Sequence, residues 1–287
     1  MDPKSLVQNL DRLVSLPDVC IKVNQLLGTS DYSVSQVADI IIQDADISAR
    51  LLRLVNSPLF GQRSKVETLS RAVTLLGADE LRNLVLATAA QRTFTGIPEE
   101  MVNMADFWRH SVTTGVMSQM LAERCNTLHS ERLFVMGVLH DVGRLVIYLS
   151  LPDKARDILH ITGGDNWILP ETEQEILGFT HLDVGAELMR SWHLPDSFSA
   201  VAGHHNMPQE AADYRLEASL VHIAKAIANG QMVGLSVDEM LWAINPFAWD
   251  TTSLSPETVA PQVDEMLAKS EEAMNLILAP ATKRMHA

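Results

Sequence analysis

Apolar residues recur along this chain at three- and four-residue steps almost throughout, the spacing of one helical face. Alternating β-branched runs bounded by turn signals are missing, so the pattern predicts an all-α fold. Ser33-Val34-Ser35-Gln36 opens one helix. Its stripe continues through Val37, Ile40, Ile41, Ile47, Leu51, Leu54 and Val55. Asn56-Ser57-Pro58 stops it, because the residue before proline is pushed out of the helical region. Ala72, Val73, Leu75 and Leu76 form a short apolar helix closed by Gly77, and Leu81, Leu84, Val85 and Thr88 face inward on a helix over 79–92. Gly96-Ile97-Pro98 marks a break. Beyond it the pattern predicts helices over 99–124, 131–150, 181–193, 196–205 and 214–229, the last ending at Asn229-Gly230 as a C-cap pair. A polar loop fills 162–171. The tail carries Pro246, Pro256 and Pro261, a helical pattern over 257–278 and a frayed end at Lys283-Arg284-Met285-His286-Ala287. The expected division is an N-terminal helical part (1–96), a helical core (97–230) and a helical tail (231–287).

Composition narrows the function classes. With 36 acidic and 22 basic residues in 287, the net charge is −14, which opposes binding to phosphate backbones. Direct nucleic-acid binding is therefore not expected. Hydrophobic residues at 47% exclude general disorder. No uninterrupted apolar run is long enough to cross a bilayer, and Met1-Asp2-Pro3-Lys4-Ser5 lacks the basic-then-apolar start of a secretory signal. Cys20 and Cys125 do not make a disulfide framework and read as free thiols in a reducing compartment. A cytoplasmic protein without membrane attachment is expected.

The ten histidines carry the chemistry. His140-Asp141 sits between Gly137 and Gly143, which remove side-chain bulk and leave room for an ion or a second helix. His110 shares an inward stripe with Phe107, Thr114, Met117 and Leu121, and a buried imidazole needs a partner. His181 follows Thr180, a plausible N-cap with Asp183 three residues on. His204 and His205 end a helix. Imidazole is the commonest biological metal ligand and a carboxylate adds charge, so His110, His140, Asp141, His181, His204 and His205 are candidate ligands converging between helices. A divalent transition metal (Fe, Mn, Zn or Ni) is the cofactor this set suggests. Arg144, one turn after His140, is a candidate phosphate contact. His129, in a turn, and His160, His193 and His286 have ordinary surface or helix-end readings.

The order His110, His140-Asp141, His181, His204-His205 resembles the HD superfamily of metal-dependent phosphohydrolases. Within it, the chain is similar to the HDOD proteins, relatives of the HD-GYP cyclic-dinucleotide phosphodiesterases. Leu16-Pro17, Asp44-Ala45-Asp46-Ile47, the block Leu51-Leu52-Arg53-Leu54-Val55-Asn56-Ser57-Pro58-Leu59-Phe60-Gly61 and Ala72-Val73-Thr74-Leu75-Leu76-Gly77 carry the first half of the resemblance. Phe107-Trp108-Arg109-His110-Ser111, Gly137-Val138-Leu139-His140-Asp141-Val142-Gly143, His181-Leu182-Asp183-Val184-Gly185-Ala186, Trp192-His193-Leu194-Pro195 and His204-His205 carry the second. The resemblance implies a multi-helix HD-like bundle over 97–230 and a bacterial signalling or regulatory role. It also implies a group generally regarded as lacking demonstrated hydrolysis.

One departure bears on catalysis. Catalytic HD domains place a further aspartate on a later helix, and the matching stretch, Leu220-Val221-His222-Ile223-Ala224-Lys225-Ala226-Ile227, sets Lys225 at that position. In another register Asp213 or Glu217 supplies the carboxylate, and His222 is a substitute ligand. The Gly-Tyr-Pro motif of HD-GYP enzymes is replaced by Asn206-Met207-Pro208. The expectation is a signal-transduction module with a degenerate metal site, binding a small nucleotide or a signalling protein. The alternative is a metal-dependent phosphohydrolase or phosphodiesterase acting on a nucleotide or cyclic dinucleotide.

Overall fold

The structure, a computed structural model, describes residues 2–10, 16–29, 31–62 and 64–277. The tail end at 283–287, with His286, lies outside the described residues. Among these residues the chain is helical with no strand, as the periodicity predicts. The first six helices are α1 (Pro3–Leu10), α2 (Asp18–Leu27), α3 (Val34–Ile41), α4 (Ala45–Val55), α5 (Leu69–Leu76) and α6 (Ala78–Thr93). There follow α7 (Met104–Arg124), α8 (Glu131–Leu139), α9 (Val142–Ser150), α10 (Pro152–Thr162), α11 (Leu169–Leu177), α12 (His181–Ser191) and α13 (Asp196–His204). The chain continues with α14 (Arg215–Met232), α15 (Val237–Trp242), α16 (Pro246–Thr252), α17 (Pro256–Val259) and α18 (Val263–Ile277).

Local chemistry explains where the pattern and the elements differ. The stripe read as one helix over 34–55 is two, because the Asp44 side chain accepts from the backbone N–H groups of Asp46 and Ile47 and starts a new helix there. The helix expected from 99 begins at Met104, capped by Asn103. Helix α10 follows directly on α9, and α11 begins inside the polar stretch expected as a loop over 162–171. Asn229-Gly230 is no C-cap: α14 runs on to Met232. Gly230 is needed there for space, since a Cβ would lie 2.3 Å from Met240 Cγ.

α7 is the central helix, buried along most of its length and packed on α8, α14 and α18. Two glycines let α7 and α8 touch at the backbone: a Cβ on Gly137 would lie 2.6 Å from Gly115 Cα. α12 packs on α13 and α9, and α1 closes over α12 and α9. The early helices are tied on by Asn24 Nδ2, which donates to the Trp192 carbonyl at 3.1 Å, and by Phe94 against Trp192. Residues 131–150 have mean hydropathy 1.5, apolar enough by length and composition to span a membrane. However, 83% of that window is buried inside the fold. It is also interrupted at the His-Asp pair.

Candidate functional site

That interruption builds the site. The 131–150 segment is not one helix: α8 ends at Leu139 and α9 starts at Val142, with Asp141 at φ −108°, ψ 7°. The break lets His140 and Asp141 both face the interior, where an unbroken helix would turn them about 100° apart. α7 supplies His110 and the first residue of α12 supplies His181. A capping box of Thr180 and Asp183 fixes that start, as the sequence suggests. The end of α13 supplies His205, and α14 supplies Lys225.

Asp141 is the hub. Its Oδ1 lies 3.5 Å from His140 Nε2, 3.6 Å from His181 Nε2, 3.4 Å from His205 Nε2 and 3.4 Å from Lys225 Nζ. All five residues are buried. Ligand atoms of His110, His140 and Asp141 lie within 4.8 Å of one another, close enough to hold one metal ion. The remaining ring nitrogens are set by their partners. His140 Nδ1 donates to the Gly137 carbonyl at 2.7 Å and His205 Nδ1 to the Val201 carbonyl at 3.1 Å, so both Nε2 lone pairs face inward. Lys225 Nζ donates to His205 Nε2 at 3.0 Å and to Asn206 Oδ1 at 3.0 Å. His140's only other proton site being committed, His110 Nε2 is the donor in their 3.4 Å contact. His110 Nδ1 and His181 Nε2 are left buried without a hydrogen-bond partner.

Charge follows geometry. Burial pushes the His140 imidazole down to about 3 and His205 down to about 4, with Lys225 adding to both. These rings are neutral near pH 7. Burial opposes ionisation of Asp141, but His140, Lys225 and the neighbouring imidazoles outweigh it and hold the carboxyl well below its usual range. Burial likewise lowers Lys225, with Asp141 working against it. His181 goes the other way. Burial disfavours its charge, yet Glu173 and Asp141 together outweigh burial and raise the ring above its ordinary value. Glu173 Oε2 accepts from both His181 Nδ1, at 2.6 Å, and His181 N–H, at 2.7 Å.

Other expected residues fall elsewhere. His204 does not join the cage: adjacent residues at a helix end diverge, so His205 turns in while the His204 side chain is 41% exposed, 3.9 Å from Glu210. His222 is no substitute ligand, since Nδ1 donates to the His205 carbonyl at 2.8 Å and Nε2 accepts from the Asn245 N–H at 3.1 Å. Asp213 is exposed and Glu217 half-buried, whereas Lys225 reaches both Asp141 and His205, so Lys225 is the residue that α14 brings to the cage. Arg144 is engaged within the protein, by Tyr148 Oη at 3.3 Å, Asn166 Oδ1 at 3.1 Å and Asp141 Oδ2 at 3.5 Å. Gly143 makes room for a helix: a Cβ there would lie 2.0 Å from the His181 carbonyl oxygen. Glu173 is the residue the sequence reading missed, though it shares an inward stripe with Leu169 and Thr172.

Comparisons agree with this architecture. A protein from Shewanella amazonensis SB2B, provisionally named a phosphohydrolase, superposes with TM-score 0.74 at 27% identity, covering 95% of this chain and 97% of its own. An HDOD domain protein of unknown function from Geobacter sulfurreducens superposes with TM-score 0.70 at 22% identity, covering 95% of this chain and 97% of its own. A curated Treponema pallidum (strain Nichols) relative, called an uncharacterized protein, is 26% identical over 224 residues, which are 77% of this chain. The chain spans 43% of that relative's length. The HDOD domain matches residues 13–208, more than half of the sequence, and the chain belongs to the HDOD domain family.

Proposed function

We propose that this protein is a regulatory binding module in bacterial signalling, in which Lys225 supplies the positive charge that a metal supplies in hydrolytic HD domains. The observation that carries this is the position of the ammonium, 3.0 Å from His205 Nε2 and 3.4 Å from Asp141 Oδ1. The donor set has imidazoles suited to a transition metal. Its charge is already balanced without one. Lys225 and Arg144 stand against Asp141 and Glu173. A dication about 4 Å from an ammonium is opposed by about 8 kcal/mol at an effective dielectric near 20. The residues present therefore do not fit a catalytic dication.

Recognition takes place in the cleft beside Lys225. It has a volume of about 360 Å³, and Asn166, Asn206 and Asn229 line it. Trp167, 66% exposed, and Met207 are its apolar lips. Amide edges with an aromatic plane suit a small heterocyclic ligand of nucleotide type better than a wide protein surface. Assays of a cyclic dinucleotide and an aryl phosphodiester with added Mn²⁺ test the reading. No turnover is expected from the wild type, and Lys225→Asp is expected to bind Mn²⁺ at least about tenfold more tightly than the wild type. Turnover by the wild type that is lost in His140→Ala overturns it. That outcome is the second reading, a metal-dependent phosphohydrolase, and its support is the convergence of His110, His140 and Asp141.

A further inference from the structure

A second group of donors meets where the start of α6 faces the turn between α7 and α8. Glu80 comes from the first turn of α6 and Glu131 opens α8. His129 lies in the intervening turn at φ 57°, a left-handed backbone that residues with a side chain seldom adopt. Ligand atoms of the three lie within 4.8 Å of one another. His129 Nδ1 is 3.4 Å from Glu131 Oε1. Glu80 is only 7% exposed, yet its Oε2 is buried without a hydrogen-bond partner. A carboxylate oxygen left in that state has lost water and gained nothing, which folded proteins seldom tolerate. The side chain lines a cleft of about 730 Å³ that also holds His129, Arg132 and His193.

We propose that Glu80, His129 and Glu131 form a zinc-class divalent-cation site that joins the early helices to the α7–α8 turn. One imidazole and two carboxylates are a donor set zinc accepts at about 2.0–2.2 Å, with water completing four-coordination. The imidazole selects against magnesium and calcium, which prefer oxygen throughout. His129 and Glu131 are more exposed than Glu80, so the short contraction the ion requires falls on side chains free to move. Arg132 is the competing cation in the cleft, but its Nε is itself buried without a partner, so that atom does not satisfy Glu80. An ion here bridges two helices that are distant in sequence, and it raises stability in proportion to its occupancy.

Titration of the full chain with Zn²⁺ by calorimetry, and with Co²⁺ by visible absorption, tests the site. The wild type is expected to bind one ion that is weakened at least about tenfold by each of His129→Ala, Glu131→Gln and Glu80→Gln, and left unchanged by His140→Ala. His129 is a surface side chain, so its variant keeps the fold and decides the matter alone should a core variant fail to fold. No binding by the wild type overturns the proposal. So does binding that persists in His129→Ala and Glu131→Gln, or that disappears in His140→Ala while the rim variants retain it, since the ion then sits in the central cage.

Discussion

Two places in this molecule gather imidazole and carboxylate, and they differ in what else the fold delivers. The central cage has more imidazoles, deeper burial and the family's motif order. It also has Lys225 within reach of both Asp141 and His205, Arg144 on the other Asp141 oxygen, and Glu173 already satisfied by His181 Nδ1 and its backbone N–H. The rim cluster has one imidazole and two carboxylates, with a buried Glu80 oxygen that nothing satisfies. Counting donors favours the cage as the metal site, whereas counting charge favours the rim. The lesson is that ligating side chains mark where an ion could be coordinated, and the charge already present decides whether one enters.

The sharpest way to break the comparison is to remove the ammonium. Lys225→Met leaves Asp141 buried with its principal cation gone, and removing one partner of a buried pair costs about 3–5 kcal/mol. Denaturant unfolding is expected to show that loss in metal-free buffer. Added Mn²⁺ is expected to restore much of the stability of the variant and little of the wild type, because the cage then lacks the charge a cation supplies. A variant as stable as the wild type, with no response to metal, removes Lys225 from the role assigned to it.

Much of the cage is legible in the sequence. Periodicity placed His110 on an inward face, and the capping box placed His181 at the start of a helix. What was not legible has a physical cause in each case. The apolar run through 131–150 hides a helix break, because the residues on either side of His140-Asp141 are buried whether or not the helix continues. The roles of His204 and His205 cannot be separated from a dipeptide, since which one turns inward depends on where α13 ends. Glu173 shares the inward stripe of Leu169 and Thr172, but a stripe does not say which imidazole it meets, and only the fold shows it seated under His181. The room that Gly137 and Gly143 create is filled by helix backbone rather than by an ion, a choice that spacing leaves open.

That close approach gives a second, smaller perturbation confined to the cage. Gly143→Ala would set a methyl carbon against the His181 carbonyl and the backbone of Gly185, so α9 and α12 must separate. Forcing that shift in a packed interior is expected to lower stability by about 2–3 kcal/mol. Zinc affinity at the rim is expected to be unchanged, because the rim helices α6 and α8 do not use this contact. Calorimetric melting together with zinc titration of the same variant checks both halves, and a variant that weakens zinc as much as it lowers the melting temperature would show that the two regions are not independent.

The smallest expected effect lies at the rim, and its sign depends on pH. Burial, reinforced by Glu131, pushes the Glu80 carboxyl up to about 7. Because the folded value is raised above the ordinary 4.5, the native state holds the proton more strongly than the unfolded chain. The stability that this proton contributes is complete below the unfolded value and is lost as pH rises through the folded one. Glu80→Gln carries no charge at any pH, so with chelator present the variant is expected to match the wild type near about pH 4.5 and to exceed it by about 1 kcal/mol above about pH 8, after allowance for solvent screening. Melting temperatures of both proteins across that range provide the measurement. With zinc in place of chelator the order is expected to reverse, because the wild type then gains a ligated ion that the glutamine holds poorly. A glutamine variant less stable than the wild type at high pH in chelator would mean that Arg132 or another donor already satisfies Glu80, and the rim would then resemble the cage in arriving neutralised.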